Sequence, residues 1–278
     1  PGLHWLTVMV SGMNGPPALA AMDWWTSRGR MASDRTTQKT SLLSRCAEGW
    51  GRRVVHLFDR GFAGAPWLTE LSSHRLRFIM RWPARYHLVD ALGSRAAWQI
   101  TRGKRSQGHR QIRDFHRRQY RKTGILAVPV RHPQLDEEMW LVVSRPGKGR
   151  TPWYLLTNEP IASSDDAWRV VLSYARRWQI EMCYRACKTD LAMESPRLWF
   201  WENRLKLLLM VSLVYAFLLS LLTKETISLV QDLLRTWCHR TGKRYREAAI
   251  PLSRIRAALS SLWVAYPPVF PICQETPG

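Results

Sequence analysis

Tyr174, Arg177, Glu181 and Lys188 place a phenol, two cations and a carboxylate at fixed intervals in the stretch SSDDAWRVVLSYARRWQIEMCYRACK (163–188). At about 100° per residue, the four fall within roughly 60° of one another on a helical wheel. An arginine offers phosphate a two-pronged fork and a lysine a point charge, while a tyrosine offers a hydrogen bond or a stacking face. The same cations favour the ionised form of Glu181. One face thus presents a carboxylate among a phenol and two cations, which is more than a merely solvated helix needs. A plainer alternative exists: Arg177, Glu181 and Arg185 at i,i+4 spacing could form exposed salt bridges worth ~0.2–0.5 kcal/mol each.

The element that must carry these residues reads as one long helix. Ser163 and Asp166 form a capping-box pattern, and no Gly or Pro follows before Lys188. Leu172, Ala175, Met182, Cys183 and Ala186 make a separate apolar sector, expected to dock into a core.

A second carboxylate stands upstream, in RRVVHLFDRGFAGAPWLTEL (52–71). Val54, Val55, Leu57 and Phe58 have the composition of a strand buried on both faces. Asp59 ends that strand, where open α/β sheets place their sites. Gly61 and Gly64 make a turn, and Ala65 to Leu71 begins a helix. The plainer reading of Asp59 is a cap on that turn.

The spacing Y-x2-R-x3-E-x6-K resembles the signature of DDE transposases of bacterial insertion sequences, and the DRGF text at Asp59 resembles the second acidic motif of the same family. The resemblance covers about Leu3 to Leu222. It implies an α/β protein with a ribonuclease-H-like core, and an activity that cleaves DNA and transfers strands at element ends. It makes Asp59 and Glu181 catalytic, metal-binding carboxylates. The implied metal is Mg2+, with Mn2+ able to substitute, because two hard cations about 4 Å apart stabilise both oxygens of a phosphoryl displacement. Tyr174, Arg177 and Lys188 would contact DNA, with Arg60 and Arg185 beside them. The implied partners are double-stranded DNA and a second copy of the chain on that DNA, with no membrane, in the bacterial cytoplasm near the nucleoid.

One part of the family pattern is unmatched. Its first acid lies on the strand before the one that Leu3 to Val10 matches, and nothing acidic precedes Asp23. Asp23 and Asp34 come too late in the order. The expectation is a core that begins just after its first catalytic strand, with reduced or absent activity.

The rest of the chain supplies the frame. Its 278 residues are 46% hydrophobic and carry a formal charge of +21, which supports a sizeable core and an anionic partner, first of all a nucleic acid. Leu3 to Val10 and Ala18 to Trp25 read as strands around a turn at Gly12 to Pro17. Thr36 to Trp50 reads as a helix ended by Gly51, and Arg77 to Trp82 as a strand. Arg102 to Lys122 holds nine Lys or Arg against one acidic residue, Asp114, inside a β-rich stretch whose basic face would meet the DNA backbone. Trp153 to Thr157 returns to a core strand. The expected division is a first core part at 1–81, a basic β-rich insertion at 82–150, a second core part at 151–223, and C-terminal helices with a tail at 224–278.

Five cysteines without framework spacing fit a reducing compartment. Cys183 and Cys187 sit one turn apart and could ligate a metal, but buried thiols are the preferred reading. The uncharged run Leu207 to Leu222 is shorter than the ~20 residues a spanning helix needs, so a core helix is preferred. Glu225 to Thr241 reads as a helix ending at Gly242, with Lys243, Arg244 and Arg246 continuing the basic character. Leu252 to Trp263 reads as a last helix, and Pro267 to Gly278 as a loose tail. Three functions stay open at this point: a cutting and joining enzyme, a DNA-binding transposase remnant without catalysis, and a membrane-associated basic protein.

Overall fold

The structure, a computed structural model, describes residues 3–12, 17–29, 31–114, 119–238 and 252–267. The chain forms two units, Pro1–Leu6 with Asp23–Trp178 and Thr7–Met22 with Gln179–Gly278. β1 (Leu3–Val10) and β2 (Ala18–Thr26) form a two-stranded sheet of their own. Between them, 13–16 of the expected turn lie outside the described residues.

Eight strands make the sheet of the first unit: β3 (Val55–Phe58), β4 (Arg77–Arg81), β5 (His87–Asp90), β6 (Gly93–Ala96), β7 (Gly108–Asp114), β8 (Gln119–Arg131), β9 (Glu138–Arg145) and β10 (Trp153–Thr157). Their order is β3-β4-β10-β9-β8-β5-β6, with β7 also on β8. Only β3 and β4 run parallel, Leu57 opposite Ile79. A parallel pair needs a crossover, and α2 (Ala65–Ser73) supplies it. Gly64 caps that helix at φ 154°, a backbone angle that costs a side-chain-bearing residue strain.

Because side chains alternate across a strand, the sheet sorts its apolar residues into two cores. Phe78, Met80 and Trp82 join Leu126, Val128, Leu141, Val143 and Leu156 on one face. Leu43 of α1 (Arg35–Trp50), Leu68 and Leu71 of α2, and Ala97 and Ile100 of α3 (Ala97–Thr101) cover that face. Ile79, Ile125, Ala127, Val142 and Leu155 take the opposite face, covered by Ala167, Trp168, Val170, Val171 and Tyr174 of α4 (Ser164–Ala175). Trp168 is 1% exposed. Filling both faces explains why β9, β10 and residues 125–130 of β8 read as almost unbroken apolar runs.

Side-chain caps fix the ends of these elements. The Asp34 carboxylate accepts from the Thr36 and Thr37 backbone N–H groups at 2.8 and 3.0 Å and starts α1. The expected capping box starts α4: Ser163 Oγ accepts from Asp166 N at 3.2 Å, and the Asp166 carboxylate accepts from Ser163 N at 2.8 Å. Where β10 ends, Asn158 accepts from Phe78 N and donates to Leu76 O, and Glu159 pairs with Arg77 through both oxygens.

The part of the second unit after Trp178 is helical. α5 (Trp178–Arg185) begins in the first unit at Trp178 and runs into a π-helical turn at Ala186–Asp190. α6 (Trp201–Ser220), α7 (Ile227–Trp237) and α8 (Leu252–Ala265) share a core of Leu218, Val230, Leu234, Ile255 and Ala258. The mixed α/β architecture with C-terminal helices is compatible with the ribonuclease-H-like fold expected from the sequence.

Several local expectations are corrected. The stretch from Ser163 to Lys188 is not one helix. Arg176 N and Arg177 N bond to the carbonyls of Ser173 and Tyr174, and these i→i+3 bonds close α4 with a turn before α5 starts. A single wheel therefore does not hold from Tyr174 to Lys188, which lies in the π-helical turn. Leu172, Ala175 and Met182 are exposed; α4 instead buries the face of Trp168, Val171 and Tyr174, because that is the side turned to the sheet. β3 is half-buried at all four residues, since it stands at the end of the sheet rather than inside it.

The expected helix after Glu225 spans Ile227–Trp237, while Gly242, Lys243, Arg244 and Arg246 lie outside the described residues, as do 115–118 of the basic stretch and most of the C-terminal tail. α6 is the one helix among the described residues long and apolar enough to cross a membrane, with a third of its apolar window buried. Its buried side, Leu208, Val211, Ser212, Tyr215, Leu218 and Leu219, recurs at the spacing of a helix packed along one stripe.

Candidate functional site

Strand parity brings the two sequence motifs together. Val55 and Leu57 of β3 pack on the α4 face of the sheet and Phe58 on the other, so the alternation carries Asp59, one step past the strand, towards α4. Here the chain turns sharply into a 3-10 helix at Arg60–Phe62. Asp59 is exposed, and its Oδ1 accepts from Arg60 N at 2.8 Å. The turn-cap reading is thus realised, and it also fixes the orientation of the carboxylate at the sheet end.

On the neighbouring strand, Arg77, Ile79 and Arg81 alternate with Phe78, Met80 and Trp82. Arg81 therefore shares its face with Ile79 and α4. Its guanidinium lies 5.3 Å from the Trp153 ring and donates to Pro152 O at 3.1 Å. Burial lowers the Arg81 pKa; Tyr174 and Asp59 oppose that shift, while Arg60 and Arg177 reinforce it. An arginine remains charged under such pressure, so this one is held half-buried between two anionic or polar neighbours and two cations.

Tyr174 ends α4 in the same place. It is 5% exposed, with its ring edge-on to Trp153 at 5.5 Å between centroids. Arg177 reaches back from the turn after α4: its guanidinium is 5.8 Å from the Tyr174 ring centroid and hydrogen-bonds the phenol. Burial raises the Tyr174 pKa, Asp59 adds to the rise, and Arg177 and Arg81 work against it. The phenol stays protonated at neutral pH. One carboxylate, one phenol and the guanidiniums of Arg60, Arg81 and Arg177 thus lie within electrostatic reach of one another in the first unit. That group has an excess of positive charge, which suits a phosphate.

The remaining candidates lie in the second unit. Glu181, half-buried, is in the first turn of α5; Arg185 ends that helix and is exposed. Lys188 is exposed and pairs with Glu194 at 2.6 Å. Of the acids weighed as a possible first ligand, Asp23 pairs with Arg45 at 2.5 Å and Asp34 caps α1. Among the described residues no group of three or more His, Cys, Asp or Glu is gathered as a metal site. The oxygen chemistry of Asp59 suits a hard cation.

Cys183 and Cys187 are fully buried, with Cys183 hydrogen-bonded to Cys187 and Tyr215. The hydrogen bond to Cys183 and burial push the Cys187 thiol up, the condition of inert core thiols. Most of the basic stretch that is described faces solvent: Arg102, Lys104, Arg105, Arg110 and Lys122 are exposed and Arg121 is half-buried, with Arg110 bridging to Asp165 at 2.9 Å.

Arg81 and Trp153 were not singled out by sequence reasoning. The signal was present in RFIMRW, where alternation puts a third cation on the face that ends at Asp59. Its significance depends on β10 pairing with β4, Leu155 opposite Arg81, a long-range register no local pattern encodes. Residues 28–217 match a family model described as "Transposase DDE domain".

Proposed function

The chain belongs to the DDE-domain transposases of insertion-sequence type, and we propose that the cluster of Asp59, Arg60, Arg81, Tyr174 and Arg177 is where its first unit grips the DNA backbone. The observation that carries this reading is the convergence of Asp59 with Tyr174 and Arg177, residues from two motifs far apart in the chain, around an unannounced third cation, Arg81. Guanidiniums give phosphate bidentate, charge-assisted bonds. The Tyr174 ring is occupied by Trp153, so its part is a hydroxyl contact rather than base stacking. Lys188 and Arg185 add point contacts to the backbone, and the exposed cations of β7 and β8 extend the track. A homodimer on DNA fits an activity that joins two ends.

Family members use divalent metal ions. In this chain Asp59 and Glu181 are the proposed metal-binding carboxylates, with Mg2+ the proposed ion and Mn2+ a substitute. Bound metal would stabilise charge on the oxygens of the phosphodiester undergoing displacement. A second element of the proposal is that cleavage by this chain is impaired while DNA binding persists; the alternative is a non-catalytic DNA-binding protein.

Two assays on the full chain test the reading. Duplex DNA should bind to wild type and lose affinity on Arg177→Ala, while supercoiled plasmid with Mg2+ or Mn2+ should show little nicking. Strong metal-dependent nicking that disappears in Asp59→Ala would overturn the impairment. Unchanged duplex affinity in Arg177→Ala would overturn the proposed DNA site.

A further inference from the structure

The face of the sheet opposite Asp59 carries a second feature, a cleft of about 400 Å³ lined by Trp82, Arg85, Tyr86, His87, His132 and Gln134, with Pro133. Parity separates it from the site above: Trp82 follows Arg81 and so belongs to the other core. Trp82 is 1% exposed, and both Tyr86 and His132 meet it edge-on, at 5.8 and 5.9 Å between centroids and 87° and 84° between planes. A buried indole is thus flanked by two rings standing perpendicular to it. Tyr86 is 49% exposed, so its ring is open to a ligand.

The cleft is held in shape by its backbone. Tyr86 N bonds to Pro83 O, Ala97 N to Tyr86 O and Trp98 N to Ala84 O, each at 3.0 Å, and Leu135 N bonds to His132 O at 3.1 Å. Two tied turns, after β4 and after β8, therefore present the rings in fixed positions. His132 Nδ1 accepts from Gln134 N at 3.2 Å, so the neutral ring keeps its proton on Nε2. Burial lowers the His132 pKa and favours that neutral, stackable form. The Trp82 indole N–H has no partner in the protein. Arg85 and His87 are exposed and lie among the lining residues.

Aromatic faces suit a planar ring, and a guanidinium beside them suits an anion attached to it. The chain's strong positive charge disfavours a cationic guest, which aromatic cages otherwise favour. The geometry points to a nucleotide-binding cleft: one unstacked base lies against Tyr86 and His132, which the buried Trp82 supports from beneath, with its phosphate on Arg85. The base could come from a DNA strand that has lost its pairing at that position or from a free nucleotide. The first source rests on the DNA-binding reading above; the second does not.

The test uses the full chain and two duplexes, one fully paired and one carrying a single unpaired 2-aminopurine. Wild type should bind the unpaired duplex at least about fivefold more tightly, the lower end for one base stacked on an aromatic, and quench its fluorescence. Tyr86→Ala and His132→Ala should lose both the preference and the quenching while keeping affinity for the paired duplex. Tyr86→Phe should retain both, because stacking needs the ring and not the hydroxyl. Since Tyr86 is half-exposed, its truncation leaves the core in place, and circular dichroism checks that. Deoxyadenosine monophosphate that competes with the quenching identifies a site open to free nucleotide; failure to compete identifies a base held within DNA. Should wild type bind neither duplex, the DNA reading fails, and titration with deoxyadenosine monophosphate alone judges the cleft: heat lost in Tyr86→Ala supports it. Equal preference in wild type and Tyr86→Ala, or no preference together with no nucleotide binding, overturns it.

Discussion

Replacing Arg81 by Met separates a binding role from a packing role. The substitution removes the hydrogen bond to Pro152 O at 3.1 Å, worth ~1.5–3 kcal/mol for a charged donor. It also removes the contact with Trp153 at 5.3 Å, worth ~0.5–1 kcal/mol at a partly exposed site. Against these losses, a half-buried charge disappears from beside Arg60 and Arg177, and a thioether of similar length keeps the stem packed. Relief of the burial cost of a guanidinium and of its crowding by two like charges works against those losses. The net change in stability should therefore stay below about 1.5 kcal/mol, a shift of a few degrees in Tm.

DNA binding should respond differently. If Arg81 neutralises one phosphate, its loss lowers the slope of log affinity against log salt by about 0.9. Between roughly 50 and 200 mM salt, the gap between wild type and variant then narrows by about 3.5-fold. Fluorescence anisotropy across that range reads the slope directly. Arg235→Met is the control, because Arg235 is exposed on α7 and already paired with Asp232. A gap that does not change with salt, or one equal to that of the control, would refute the placement of Arg81 in the phosphate site.

Three further outcomes follow from the same geometry. Asp59→Asn should tighten duplex binding severalfold in anisotropy, since it removes a negative charge from among three guanidiniums while its side-chain oxygen can still accept from Arg60 N; weaker binding would contradict the arrangement. Ser163→Ala should lower stability in urea by about 1 kcal/mol, because it breaks the reciprocal cap of the helix that ends in Tyr174; no change would mean the cap is redundant. Stability should fall as pH drops below about 6.5: burial lowers the pKa of His56 and His132 in the fold, so the unfolded chain takes up protons first. His56→Phe should flatten that slope between about pH 6.5 and 5, and an unaltered slope would assign the effect elsewhere.

Much of the frame was legible because it rests on local chemistry. β1, α1 and β10 appear where apolar runs and turn residues put them, and the α4 cap is the expected one. What the sequence did not disclose is long-range. The strands of 82–150 pair into one sheet with β10 and so with β4, and nothing in their composition announces that register. The apolar sector assigned to Leu172 and Met182 failed for a related reason. Periodicity shows that a helix has a buried side, but only the sheet beneath α4 decides that Trp168, Val171 and Tyr174 form it. Arg81 was hidden the same way, as one cation among many until its strand acquired neighbours.

The turn at Arg176 and Arg177 changes what the Tyr174 and Arg177 spacing means. On a continuous helix the two would be neighbours on one exposed face, and Tyr174 would offer its ring to solvent. Here Tyr174 is the last buried residue of α4, and the two i→i+3 bonds that end the helix let Arg177 fold back to bond the phenol. The spacing therefore serves an anchor and a reach rather than a face. The anchor fixes the guanidinium within electrostatic reach of Arg81 at little entropic cost, since Tyr174 is already immobilised against Trp153. A cation held in place before phosphate arrives loses less freedom on binding. That economy gives a buried tyrosine a reason to stand three residues before an arginine at a site that binds DNA.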